Sequence, residues 1–110
     1  MPLSWLELDV NGQPMETYLA RPQDSGPHPA VIVVQEIWGV NSHIQSVTGR
    51  LPASGYVGIS PAIFHRQGRH MLTLYEEMEE SLAHMGNLKD SEILDDLRAV
   101  VSYLQSQPFV

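Results

Sequence analysis

An uninterrupted apolar run is followed, after Gln35, by a carboxylate, an aromatic ring and a glycine at Glu36, Trp38 and Gly39. The run itself, Val31 to Val34, consists entirely of β-branched residues, which is typical of a strand buried on both faces of a parallel sheet. Ligands and chemistry lie just beyond the carboxyl ends of such strands. The pattern therefore predicts that a strand at residues 31–34 lies centrally in the sheet and that residues 36–41 line a functional site.

Glu36 is the residue in this segment that could move a proton. A carboxylate enclosed by apolar groups has its pKa raised by desolvation, so it can exchange a proton near neutral pH. Two structural roles compete with this interpretation: Glu36 could cap the helix that follows, or it could bind an arginine. The residue types alone leave all three open.

The elements that must position this segment begin with a predicted hairpin. Leu6, Leu8 and Val10 alternate with polar or aromatic neighbours, which is the period of a half-buried strand. Asn11-Gly12 favours a type I′ turn, because both residues tolerate positive φ. A second strand over residues 15–20 would complete an antiparallel pair at one edge of the sheet.

Downstream of residue 41 the pattern predicts helices alternating with one further strand. A helix should start after Asn41 or Ser42 and end near Pro52, and residues 56–60 should form a second parallel strand. Apolar residues from Met71 to Met85 recur at helical spacing, which predicts an amphipathic helix with its methionines in the core. The last predicted helix carries its apolar residues on one face: Ile93, Leu94, Leu97, Val100, Val101 and Leu104.

Composition narrows the class of protein. The 110 residues carry a net charge of −7 with only six Lys and Arg, which disfavours nucleic-acid and anionic-membrane binding. No cysteine is present, and no apolar run of about 18 residues or signal-peptide pattern occurs, so the expected compartment is the cytoplasm. The five histidines form no His-Glu-x-x-His motif, so no metal site is expected.

Three segments in order resemble the dienelactone hydrolase family of α/β-hydrolases. They are residues 35–41 (QEIWGVN), residues 55–68 (GYVGISPAIFHRQG) and residues 95–104 (DDLRAVVSYL). The resemblance implies that residues 1–110 form the amino-terminal half of such a domain. The expected fold class is α/β, a partial α/β-hydrolase fold with a mostly parallel sheet, an antiparallel N-terminal hairpin edge and flanking helices.

The resemblance also implies roles for five residues. Glu36 would lie beside the nucleophile, and the Ile37 N–H would be one of the donors that hold the developing oxyanion. Trp38 would form a wall of the substrate site, although packing in the core is an equal alternative. Arg66 and Arg69 would grip the carboxylate that the family's substrates carry, or else they are ordinary surface residues.

The chain contains no Gly-x-Ser-x-Gly or Gly-x-Cys-x-Gly elbow. The resemblance implies a cysteine or serine nucleophile just past Val110, with the histidine and its acidic partner further on, and it implies no cofactor and no metal. The expected function is hydrolysis of a small-molecule ester or lactone by an intact enzyme, with the missing carboxy-terminal half, or self-association, completing the chain. The alternative is a non-catalytic α/β binding or assembly module. Nucleotide binding is disfavoured, because no glycine-rich phosphate loop follows either parallel strand.

Overall fold

Four strands form one mixed sheet in the computed structural model, which describes residues 3–24 and 26–110. The strand order across the sheet is β1-β2-β4-β3, with β1 and β2 antiparallel, β2 and β4 antiparallel, and β3 and β4 parallel. The sheet is therefore less parallel than expected, because the described strands include the whole hairpin and one parallel pair. The strands are β1 (Leu3–Val10), β2 (Gln13–Ala20), β3 (Ala30–Ile32) and β4 (Val57–Pro61).

Three α-helices flank this sheet in the described part of the chain. They are α1 (Ser42–Arg50), α2 (Met78–Gly86) and α3 (Asp90–Gln105), and short 3-10 helices follow α1 and β4 at Leu51–Ser54 and Ile63–Arg66. Among residues 3–24 and 26–110, no helix combines the length and the apolarity that crossing a membrane requires. This α/β arrangement is the predicted fold class.

The predicted hairpin is confirmed. Asn11 and Gly12 both have positive φ, at 51° and 87°, as a type I′ turn requires. The backbone twist of this turn matches that of the strands it joins, so residues 3–10 pair in register with residues 13–20. β1 lies at one edge of the sheet, as the alternating pattern predicted.

The strand before the candidate site is shorter and less buried than predicted. β3 covers Ala30–Ile32 and lies at the other edge of the described sheet, instead of centrally. Val31 is 36% exposed and Val34 is 55% exposed. The reason is that β3 pairs with β4 and with no second strand among the described residues, so its outer edge and part of its surface remain uncovered.

α1 and α3 pack on opposite faces of the sheet. α1 crosses β4 closely at Gly58, where an added Cβ would lie 2.6 Å from the carbonyl oxygen of Thr48. α3 covers the other face, and its Val100 and Leu104 join the main core. Because apolar surface is buried on both faces of the sheet, β3 and β4 are held side by side, and their carboxyl ends lie at the same edge. The main core consists of Val10, Met15, Leu19, Val57, Ile59, Val100, Leu104 and Phe109.

The predicted amphipathic helix over residues 71–85 is only partly present. α2 begins at Met78, and the residues before it run as turns and irregular chain. Tertiary hydrogen bonds explain the difference, because the Thr73 N–H donates to the Trp38 carbonyl and the Leu74 N–H donates to the Glu77 carboxylate. The methionines are also not core residues as predicted: Met78 and Met85 are both exposed.

α3 matches its predicted position but buries a narrower face than expected. Val100 and Leu104 are buried, whereas Leu94 and Val101 are exposed on a flank that no described element covers. Asp96, a carboxylate, lies on the buried face instead. α3 therefore packs against the sheet through apolar side chains and also through a buried carboxylate.

Candidate active site

A tight turn over residues 36–39 follows β3 at the carboxyl end of the parallel pair. The Gly39 N–H donates to the Glu36 carbonyl at 3.2 Å, and Gly39 has φ of +91°. Within the described part of the chain, the Ile37 N–H has no backbone or side-chain acceptor. A turn that leaves a backbone donor free at this position can supply one hydrogen bond to an oxyanion.

Gly39 is required at the end of this turn for two separate reasons. Its φ lies in the left-handed region that favours glycine, and a Cβ added there would overlap the Met71 carbonyl oxygen. The Thr73 N–H donates to the Trp38 carbonyl at 3.2 Å. Residues 71–73 therefore press directly against the turn and hold it in place.

Side chains at the carboxyl ends of the two parallel strands lock the turn to the sheet. The Ser60 hydroxyl donates to the Val33 carbonyl at 2.7 Å, beyond the last paired residue of β3. The Gln35 side chain accepts a hydrogen bond from the Ile63 N–H at 2.7 Å and donates to the Glu36 carbonyl at 3.2 Å. These bonds satisfy backbone groups that would otherwise lose water without gaining a partner.

Glu36 projects from this turn as an exposed side chain. Neither competing structural role is observed. The following helix is capped by Asn41, whose Oδ1 accepts from the Ile44 N–H at 3.1 Å. Arg66 and Arg69 form their ion pairs with other carboxylates. Within residues 3–24 and 26–110, the Glu36 carboxylate makes no hydrogen bond or ion pair, so it is free to meet a group brought to this edge.

Trp38 packs against a residue that lines a cavity near the turn. Its half-buried ring meets the Tyr75 ring edge-on, with centroids 5.1 Å apart. Tyr75 lines a cavity of about 460 Å³ between the start of α1 and residues 72–75. A smaller cavity, about 210 Å³, lies alongside and shares Gln45 and Leu72 with it. We call the larger one the Leu72 pocket; its lining is Asn41, Ser42, Gln45, Leu72, Thr73, Leu74 and Tyr75.

The two arginines expected to bind substrate each form an ion pair with carboxylates other than Glu36. Arg66 makes a two-point contact with Asp96, at 2.9 and 3.1 Å, and its Nε lies 3.4 Å from Glu92. Arg69 lies 2.6 Å from Glu7 and 3.6 Å from Glu16. The hydrogen bond to Glu7 raises the pKa of Arg69 above its usual range. Substrate binding by either arginine stays a prediction.

A buried charge cluster, formed by His65, Arg66 and Asp96, is what the sequence analysis missed. The His65 and Asp96 side chains are fully buried. His65 Nδ1 lies 3.0 Å from the Pro14 carbonyl oxygen, and its Nε2 lies 2.9 Å from Asp96 Oδ1. Nδ1 therefore faces a carbonyl oxygen and Nε2 faces a carboxylate oxygen, so both ring nitrogens lie against acceptors. A carboxylate on the apolar stripe of α3, between Ile93 and Val100, was the signal that could have found it.

Comparison with known proteins places these features in a family. The model of the "Dienelactone hydrolase family" matches residues 15–110. A protein of Synechocystis sp. named "Putative carboxymethylenebutenolidase" is 45% identical over 95 residues, covering 84% of this chain and 39% of its own. The protein of the same name from Escherichia coli (strain K12) is 39% identical over 94 residues, covering 84% of this chain and 34% of its own.

A solved structure agrees with the sequence relatives. The crystal structure titled "Putative Dienelactone Hydrolase" from Klebsiella pneumoniae superposes with a TM-score of 0.76 at 34% identity. The match covers 96% of this chain and 45% of that one. The chain thus spans less than half the length of the relatives it matches. With the fold, the turn after β3 and the family match in agreement, the chain belongs to the dienelactone hydrolase family.

Proposed function

We propose that these residues form the amino-terminal half of an enzyme that hydrolyses a carboxylic ester or lactone. The observation that carries the proposal is the Ile37 N–H, which has no acceptor among the described residues and lies at the carboxyl end of a parallel strand. Acyl transfer needs a donor placed where the carbonyl oxygen becomes negative. Membership of the family supports the reaction class, since its relatives carry hydrolase names.

In the proposed mechanism a cysteine or serine outside residues 1–110 attacks the substrate carbonyl. The attack opens the carbon–oxygen double bond, and the Ile37 N–H donates a hydrogen bond to the resulting oxyanion. A histidine outside these residues takes the nucleophile's proton and gives it to the alcohol, which leaves as its bond to the acyl carbon breaks. A water molecule deprotonated by the same histidine then attacks the acyl-enzyme, releasing the acid and restoring the nucleophile. In the resting enzyme Glu36 would lie beside the nucleophile, and its carboxylate would hold or accept the nucleophile's proton, which passes to the histidine when substrate arrives.

The side chains around the turn would then have two roles: some would contact the substrate, and others would position the turn. Trp38 and its partner Tyr75 would form an aromatic wall beside the reacting carbonyl. Gln35 would position the turn through its bonds to Ile63 and Glu36. Arg66 and Arg69 could contact a substrate carboxylate only by leaving their present ion pairs.

The role of the Ile37 N–H is tested by replacing Ile37 with proline in the full-length enzyme. Proline removes the N–H, and it suits the second position of a tight turn because its φ is already near −65°. Ile37→Ala is the matched control, since it shortens the side chain and keeps the donor. We expect kcat of Ile37→Pro to fall roughly 10²–10³-fold below that of Ile37→Ala. Equal rates in the two variants would remove the oxyanion role.

Glu36→Gln tests the proposed carboxylate in the same enzyme. The change keeps shape and removes the ability to take a proton, so we expect kcat to fall by roughly 10²-fold or more. Glu79→Gln, an equivalent change at an exposed site on α2, is the control and should leave kcat unchanged. Unchanged turnover in Glu36→Gln would show that the carboxylate takes no part in the reaction.

A non-catalytic binding or assembly module remains the second candidate function. Its support is the missing elbow motif and the outer edge of β3, which pairs with no strand among the described residues. An unpaired strand edge is a template for pairing with another chain. Sedimentation of residues 1–110, with ester hydrolysis measured on this chain and on a longer one, separates the two candidates.

The cytoplasmic location inferred from composition stays a prediction.

A further inference from the structure

A short segment, residues 70–73, lies against the turn at residues 36–39, and we call it the strap. The Thr73 N–H donates to the Trp38 carbonyl at 3.2 Å, so the strap contacts the turn through a main-chain hydrogen bond. The Thr73 hydroxyl is hydrogen-bonded to the hydroxyl of Ser81, a buried residue of α2. α2 therefore fixes the carboxyl end of the strap.

The amino end of the strap is fixed by Glu16 on β2. The His70 N–H donates to Glu16 Oε1 at 3.2 Å, and Arg69 Nε lies 3.6 Å from the same oxygen. Glu16 is 3% exposed, and its main-chain carbonyl accepts a hydrogen bond from the Ala62 N–H at 2.8 Å. Because its side chain is buried and its backbone is bonded to the segment after β4, Glu16 is a firm anchor for this end.

His70 has a backbone conformation that depends on support from its neighbours. Its φ is +47°, in the left-handed region that residues other than glycine seldom adopt. The hydrogen bond to Glu16 supports it, together with an edge-on contact to the Trp5 ring, with centroids 4.9 Å apart. His70 is exposed, so without Glu16 its N–H would turn to water and its backbone would relax. The path of the strap therefore depends on Glu16.

Two peptide planes carry this constraint from the strap to the Ile37 N–H. The Trp38 carbonyl, which Thr73 binds, shares one planar peptide with the Gly39 N–H. That N–H donates to the Glu36 carbonyl at 3.2 Å, and the Glu36 carbonyl shares a second planar peptide with the Ile37 N–H. A rotation of the first plane would therefore break a hydrogen bond that orients the second.

We propose that Glu16 is a positioning residue for ester hydrolysis, because it holds the strap and the strap sets the direction of the Ile37 N–H. This inference rests on the proposed function, in which that N–H stabilises the oxyanion. Glu16 touches neither the substrate nor the nucleophile in this role. Its effect comes through geometry, since misplacing a catalytic group by about 1 Å can cost roughly 10²-fold in rate.

Glu16→Met tests the anchor in the full-length enzyme. Methionine is similar in length and fills the buried site, but it offers the His70 N–H no oxygen acceptor. Replacing a buried charge by an apolar side chain of similar volume is often neutral for stability, so the variant should fold. We expect kcat to fall roughly tenfold while KM stays within about twofold, because Glu16 does not contact the substrate. An unchanged kcat would overturn the proposal.

Two control variants separate the hydrogen bond from the charge. Glu16→Gln removes the charge but keeps an acceptor for the His70 N–H, so it should retain kcat within about threefold. Glu7→Met removes a carboxylate that lies opposite Glu16 in the hairpin and 2.6 Å from Arg69, and it leaves the strap bond in place. Its kcat should also be retained. A loss as large as that of Glu16→Met in either control would assign the effect to charge and overturn the proposal.

A double-mutant cycle with Ile37→Pro tests the route from Glu16 to the reaction. If Glu16 acts only through the Ile37 N–H, Glu16→Met has nothing left to disturb once that N–H is removed. We expect Glu16→Met to lower kcat by less than about twofold in the Ile37→Pro enzyme, against roughly tenfold in the Ile37→Ala enzyme. Equal losses in the two backgrounds would show that Glu16 acts by another route and would overturn the proposal.

A signal that needs no turnover separates this inference from the proposed function. In enzyme labelled with 5-fluorotryptophan, fluorine NMR gives a signal for Trp38 in the turn, which Trp38→Phe assigns. We expect Glu16→Met to shift this signal and Glu7→Met to leave it in place. A Trp38 signal that does not move in Glu16→Met would overturn the link through the strap. A shifted signal in an enzyme that hydrolyses no ester would support the link and defeat the hydrolase function alone.

Discussion

The segments that follow β3 and β4 start at the same edge of the sheet but differ in how their polar groups are satisfied. After β3, the Ile37 N–H and the Glu36 carboxylate have no partner among the described residues. After β4, His65 and Arg66 place their donors on Asp96 and Pro14. The first segment is open to a ligand, whereas the second joins the hairpin to α3.

The difference shows that position at the carboxyl edge of a sheet does not by itself make a charged residue functional. Arg66 lies at that edge as predicted, yet its guanidinium forms a two-point pair with a buried carboxylate. A buried Asp96 would be costly without this partner and without His65. The packing of α3 therefore decides the contacts of Arg66. Four experiments test these contacts and the contrast between the two segments by changes in stability.

The largest expected effect is at Asp96. Asp96→Ala leaves His65 and part of Arg66 buried without their acceptor, so the free energy of unfolding should fall by about 3–5 kcal/mol. Equilibrium urea unfolding measures it. Asp95→Ala removes an exposed carboxylate one position away, and its cost should be about 0–1 kcal/mol. Similar losses in the two variants would mean that the buried charge cluster does not hold α3.

Gly39 and Gly12 form a second matched pair. Both have positive φ, at 91° and 87°, but a Cβ meets nothing within 4 Å at Gly12 and overlaps the Met71 carbonyl at Gly39. We expect Gly12→Ala to cost about 1 kcal/mol and Gly39→Ala about 2–4 kcal/mol in thermal or urea unfolding. Equal costs would show that residues 71–73 do not press on the turn.

A smaller effect is expected at high pH from Tyr103 on α3. Burial raises the pKa of Tyr103 above its usual 10.0, partly offset by the charge of Arg21. The folded state then holds the phenol proton more tightly than the unfolded state, so this contribution is complete below about pH 10 and is lost as pH rises through the folded pKa. Tyr103→Phe should therefore lose less stability than the parent protein between about pH 9 and pH 11. Identical pH profiles would show that Tyr103 remains hydrated.

The smallest expected change in stability is at Glu36. Its carboxylate is exposed and has no partner in residues 3–24 and 26–110, so Glu36→Gln should change the free energy of unfolding by less than about 0.5 kcal/mol. Urea unfolding measures this alongside the expected loss of turnover. A loss of stability above about 1 kcal/mol would give Glu36 a structural role and remove the contrast between the two segments.

The sequence by itself determined the features that depend only on residues close together in the chain. Asn11-Gly12 predicts the type I′ hairpin because no other part of the protein is needed for positive φ at those residues. Asn41 was one of two predicted caps for α1, and it accepts the capping hydrogen bond. The string at residues 35–41 indicated the family, and the family match over residues 15–110 agrees with it.

Tertiary structure alone decided the features that depend on distant partners. The residues from Met71 to Glu77 have helical spacing, but contact with the turn at Trp38 and Gly39 holds them out of a helix. Val31 and Val34 are apolar enough for a central strand, yet their burial depends on a second neighbouring strand. Asp96 and Arg66 meet across 30 positions of sequence. Periodicity and residue type report what a segment can form, whereas free energy summed over contacts with the rest of the chain selects what it does form.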